Sequence, residues 1–192
     1  MPGTTMADVT KVLGWQSGRL TQSRHGEASR MVALMSSMPY AVAGGPSRLG
    51  FMMEVASVAA GCALEQGMAM VLVPPLESGQ RSLDFMGVDG VVLIEPAAND
   101  KLLMDLTVRG LPVVSIGKPG GHGFNTVPYV DLRPGDSVQL LLEHLQAQGA
   151  RQIAMILGAA ERDSYAQAEA AYQRMAHLMG MEYVVLRVDE AL

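Results

Sequence analysis

Two adjacent serines, Ser36 and Ser37, end an apolar run and are followed by the glycine-rich turn GGPSRLG, residues 44–50. A serine at a strand end can be a nucleophile, and a glycine-rich turn can cradle a phosphate. A nucleophile elbow needs the G-x-S-x-G frame with Asp and His partners later in the chain, which neither serine has. A phosphate loop ends in Gly-Lys-Ser/Thr, whereas Arg48 stands where the helix start should offer bare backbone donors. A second glycine-rich stretch, GKPGGHGFN at 117–125, has no G-x-G-x-x-G register leading into a helix and reads as a connector. His25, His122, His144 and His177 show no i,i+3 or i,i+4 pairing, and the single cysteine, Cys62, allows neither an internal disulfide nor a cysteine-based zinc site. The residue types therefore point away from an enzyme and predict no metal and no cofactor.

The elements that would hold these residues follow one rhythm. Short apolar runs at 31–35, 68–73, 91–94, 112–116, 127–130, 153–157 and 183–188 are four to six residues long and almost continuously apolar, which suits strands buried on both faces. Between them, helical spacing marks Phe51, Val55, Ala59 and Cys62; Leu102, Leu103 and Leu106; Val138, Leu141, Leu142 and Leu145; and Ala168, Tyr172, Met175 and Met179. Each helix runs into a glycine (Gly67, Gly110, Gly149 or Gly180) able to take the left-handed C-terminal position, and a new strand follows. This alternation predicts an α/β fold with an open, doubly wound parallel sheet. Such sheets bind ligands beyond the carboxyl ends of their strands, so the loops after Met35, Val73, Ile94, Ile116 and Val130 should share one rim.

Composition narrows the partners. With 49% hydrophobic residues in 192, the chain can bury one large core or two small ones. Its longest apolar stretches fall far short of a membrane span, and the N-terminus has no signal-peptide pattern, so a cytoplasmic protein without membrane contact is expected. The net charge of −5 gives no general attraction to nucleic acid. The first 30 residues carry four basic against two acidic groups, a local +2 that leaves −7 on the remainder. The 15 methionines are read as core filler at helical and strand spacing.

Four phrases in order, VDGVVLIEP, RGLPVVSIGKP, VPYVDL and LLLEHLQAQGARQIAMILG, resemble the effector-binding core of the LacI/GalR family of transcriptional regulators. The resemblance runs from about Arg30 to Leu192 and is clearest over 88–158. It implies a fold of the type I periplasmic-binding-protein kind, present here as a first lobe (30–149) and part of a second (150–192). Residues 1–29 would then be a remnant of a DNA-binding headpiece or a linker: TTMADVTKVLG resembles its first helix, but WQSGRLTQSRHGEAS does not continue as a recognition helix. The implied partners are a small polar, sugar-like effector and a second copy of the chain in a homodimer, with operator DNA engaged only through a complete headpiece. The loop after Ser37 becomes one lip of a small-molecule cleft.

On that basis the candidate ligand residues are Ser37, at a family position that often touches the effector; Phe51, a stacking face; Glu95, Lys118 and Asp131, just past strand ends; and Tyr165. Each has an ordinary alternative. Lys118 and Glu95 suit solvated loop charges, and Asp131 suits a helix-start cap together with Asp136. The resemblance also has a gap, because the arginine with which many members grip sugar hydroxyls falls at Ala168. Arg162, Asp163 or Tyr165 are the residues placed to compensate. A solute-binding protein of a sugar transporter shares the implied fold and is the alternative reading.

Overall fold

The computed structural model describes residues 30–39, 49–73 and 87–190. The expected headpiece remnant at 1–29 and most of the GGPSRLG turn lie outside the described residues. Five parallel strands, β1 (Met31–Ser36), β2 (Ala69–Leu72), β3 (Gly90–Ile94), β4 (Val113–Ile116) and β5 (Tyr129–Val130), form one sheet in the order β2-β1-β3-β4-β5. Helix α1 (Leu49–Glu65) joins β1 to β2, α2 (Lys101–Val108) joins β3 to β4, and α3 (Pro134–Ala147) follows β5. A second sheet pairs β6 (Met155–Gly158) with β7 (Val185–Val188) in parallel across α4 (Asp163–Met179).

The first sheet is covered on both faces, as its apolar runs predict. Ala33, Met35, Val91, Leu93 and Val113 pack on one face with Leu103 and Leu106 of α2 and with Phe124 and Val127. Leu34, Ile94 and Ile116 pack on the other against Ala56, Met52 and Val55 of α1. The alternation is the ordinary period of a strand, with neither parity facing water. Burying one such side chain stabilises by about 1.5–3 kcal/mol relative to leaving it exposed.

The helices begin and end as local chemistry dictates. Asp100 caps α2, its carboxylate accepting from Leu103 N at 2.9 Å and Ala97 N at 3.0 Å. Pro134 opens α3, where its missing N–H costs nothing. The four expected terminating glycines all take positive φ, from +64° at Gly180 to +89° at Gly149.

The expected apolar face of α3 differs from the structure. Leu142 alone of its residues is fully buried, whereas Leu140, Leu141 and Leu145 are exposed. Furthermore, α3 packs on α4, and Leu142 and Val138 join the core of Tyr172, Ala176, Met155 and Val185. α3 thus packs with the elements of the second sheet, although it precedes Gly149 in the chain. A glycine-ended helix followed by a strand is a local signal; which sheet the helix covers is set by its apolar face, and a run of three leucines does not reveal that face.

Candidate functional site

Register builds the rim. Ser36 pairs with Ile94, Ile94 with Ile116 and Ile116 with Val130, so four strands end level. The residues that follow, Ser37, Glu95, Gly117 and Asp131, stand in one row. The ladder carries into them, with Ser37 N donating to Ile94 O (3.1 Å), Glu95 N to Ile116 O (2.8 Å) and Gly117 N to Val130 O (3.0 Å). Connections leave β1 and β3 in opposite directions across the sheet, which makes the gap between them the switch point where open α/β sheets place ligands. Ser37 and Glu95 flank that gap.

The second sheet brings its own strand ends to the same place. The loop after β6 carries Arg162, which is 4% exposed. Its Nη1 donates to Glu95 O, and its Nη2 lies 3.4 Å from Ser37 O and 3.5 Å from the Glu190 carboxylate beyond β7. Ser164 Oγ donates to Glu95 Oε2 at 2.7 Å, and Tyr165 OH donates to Glu190 Oε1 at 2.6 Å. Ala98 N donates to Glu161 O at 2.7 Å, tying the loops after β3 and β6 through their backbones. One buried guanidinium therefore joins the ends of β1, β3 and β7.

Glu95 is the most constrained member. It is buried and holds φ of +50°, a left-handed conformation unusual for a residue with a side chain. Its Oε1 lies where a Cβ on Gly117 would sit, 2.9 Å away, so glycine at 117 is what admits the carboxylate. Gly158 likewise lies beneath the Glu190 carboxylate and leaves no space for a side chain. Residues held in such conformations cluster at active sites, ligand clamps and switch regions.

The six sequence-derived candidates separate into two groups. Ser37, Glu95 and Tyr165 belong to the network around Arg162. Lys118 lies at its edge, with Nζ 3.8 Å from Asp163 Oδ1, and is half exposed. Asp131 spends its Oδ1 on Arg133 N (2.8 Å) in the turn before α3, but it does not cap the helix, whose N-cap residue Arg133 carries no side-chain cap bond, and Asp136 pairs with Arg133. Phe51 stands 43% exposed on the first turn of α1. Ser164 and Glu190 are members that the sequence reading missed. The strand-end rule that selected Glu95 extends to β6 and β7 and points to both loops.

Among the described residues, two buried side-chain polar atoms have no hydrogen-bond partner, Ser37 Oγ and Arg162 Nε. Both sit in this network. No group of three or more metal-ligating side chains occurs among the described residues, and no described helix is long and apolar enough to cross a membrane.

No family model and no curated protein matches the chain. Solved structures do. A transcription regulator-like protein from Staphylococcus haemolyticus superposes with a TM-score of 0.72 at 14% identity, over 84% of this chain and 61% of that one. A LacI family transcriptional regulator from Bifidobacterium animalis subsp. lactis gives 0.64 at 16% identity, over 85% and 58%. The transcriptional regulator CelR, in a cellobiose complex, gives 0.66 at 25% identity, over 95% and 55%. The chain has the fold of LacI-family transcriptional regulators, with the parallel α/β architecture that the sequence phrases imply, and spans about three fifths of the length of these structures.

Proposed function

We propose that the chain is the effector-sensing core of a LacI-family transcriptional regulator, which binds a small polar, sugar-like molecule between the strand ends of its two sheets. The observation that carries this reading is the convergence of both sets of strand ends on one buried polar network at the β1/β3 switch point. A ligand there touches both sheets at once, so its binding energy can bias their relative placement, which is what a sensor requires. The complex of CelR with cellobiose supports a sugar as the ligand class.

Homodimerisation is part of the same reading, and the exposed Leu140, Leu141 and Leu145 on α3 offer apolar surface for it. A sensor of this kind works in the cytoplasm, without catalysis, and reads operator DNA only through a complete headpiece. The lobes are proposed as a first unit ending near the turn before Pro134 and a partial second unit beyond it. Differential scanning fluorimetry of the 192-residue chain against a library of sugars and polyols tests the ligand. At least one saturating upward shift of the melting midpoint is expected, and a flat response across the library overturns the reading.

A further inference from the structure

We infer that the site selects an uncharged ligand over its phosphorylated or carboxylated counterpart, gripping one ligand oxygen with a donor pair made of Ser37 Oγ and Arg162 Nε. This rests on the proposed sensing role and adds the charge class and contact atoms of the ligand.

The donor pair follows from what the network leaves over. Arg162 spends Nη1 on Glu95 O and directs Nη2 to Ser37 O and Glu190, while its Nε–H has no acceptor. The Ser37 hydroxyl is also unpartnered, on the residue whose carbonyl that guanidinium contacts. A buried donor without an acceptor is destabilising, and a ligand oxygen that accepts from it regains the lost bond. Because Nε–H can only donate, the ligand must present an acceptor there.

Charge excludes the obvious acceptors. Two carboxylates, Glu95 and Glu190, face a single guanidinium, and that guanidinium already lies 3.5 Å from Glu190. Lys118, at the edge of the network, is offset by Asp163 at 3.8 Å, and Arg187 is paired with Glu169. Glu95 has a hydroxyl, Ser164 Oγ, as the partner of its carboxylate and, among the described residues, no cation within salt-bridge distance. A phosphate or carboxylate on the ligand would enter beside an uncompensated buried anion, where water screens little. A hydroxyl instead accepts from Arg162 Nε and Ser37 Oγ while donating its own proton toward a carboxylate. Adjacent uncharged hydroxyls fit both demands.

The test is isothermal titration of the full chain with glucose and cellobiose and, in parallel, with glucose 6-phosphate and cellobiose 6′-phosphate. A neutral sugar is expected to bind at least tenfold more tightly than its phosphate ester. Ser37→Ala, which removes only a hydroxyl, should weaken the neutral sugar about tenfold. Arg162→Lys, which keeps the charge but not Nε, should do the same, with circular dichroism confirming the fold. Glu95→Gln should narrow the gap between sugar and ester, a readout that steric exclusion of the phosphate would not move. Tighter binding of the esters overturns the inference and leaves the sensing role standing. So does wild-type affinity in Ser37→Ala, or an unchanged gap in Glu95→Gln. Failure of all four probes to bind overturns this inference, and the sensing role is then decided by the wider sugar library alone.

Discussion

The central strands of the first sheet, β1, β3 and β4, are sealed on both faces, while the second sheet is sealed on one. Leu93 in β3 is fully buried, its layer closed by α2 as the opposite layer is closed by α1. In the second sheet α3 and α4 cover one face, around Tyr172, while Ile156, Leu186 and Val188 stand exposed on the strands. Strands of equal apolarity thus occupy different environments. In the first sheet stability comes from sandwiching a layer of side chains. In the second it leans on polar pins: Tyr172 OH donates to Ile153 O at 2.7 Å and accepts from Val184 N at 3.0 Å, so one hydroxyl ties together the segments entering β6 and β7.

The contrast is sharpest in its largest expected effect. Leu93→Ala should destabilise the protein by roughly 2–5 kcal/mol, because it opens a cavity in a layer closed on both sides. Urea unfolding should show a lower midpoint, and a loss below about 1 kcal/mol would mean that this layer is looser than its burial states. Tyr172→Phe keeps the ring, which stacks on Tyr183 at 5.3 Å, but leaves the Val184 N–H without its acceptor. A cost of about 1–3 kcal/mol is expected, with faster amide exchange at Val184 as the local sign. Unchanged exchange there would show that the pin is not what holds β7.

A smaller effect belongs to alkaline solution. The Tyr183 hydroxyl donates to Glu169 Oε1 at 2.6 Å, and that bond, aided by desolvation and by the charge of Glu169, holds its pKa above the ordinary tyrosine value. With the folded pKa raised, the contribution is fully present below the unfolded value, about 10, and is lost as pH rises through the folded one. Thermal melts from pH 8 to 11 should fall more steeply for the wild type than for Tyr183→Phe. Parallel curves would remove Tyr183 as the cause. The smallest effect is expected on the bare face, where Ile156→Ala should change stability by about 0.5 kcal/mol or less. A loss comparable to that of Leu93→Ala would mean that something covers this face in solution.

The same contrast explains what could be read from the sequence. Continuous apolar runs such as VVLI and VVSI disclosed β3 and β4 because both parities are buried, and the glycines after each helix disclosed the rhythm. The run LLL at 140–142 was opaque, since three adjacent leucines share no single helical face and only the packing of α4 selects Leu142. At the site, the strand-end rule found Ser37 and Glu95 from position alone. It did not find Ser164, whose partner lies 69 residues away and becomes a neighbour only when the two sheets meet, or Glu190, whose partner 28 residues away becomes one when β7 pairs with β6. Asp131 obeyed the same rule yet serves its own turn, accepting from Arg133 N two residues on, which is not the helix cap that the local reading offered.

Gly117 and Glu95 set an order on inheritance. While the Glu95 carboxylate stays where it is, a side chain at 117 has to displace it, and the φ of +93° there disfavours one even after that carboxylate is gone. Glu95 is under no reciprocal bar, since a shorter residue leaves the glycine undisturbed. Among descendants of this chain, replacement of the glutamate should therefore precede replacement of the glycine, and lineages with glycine at 117 and a small residue at 95 should outnumber those with the reverse pair.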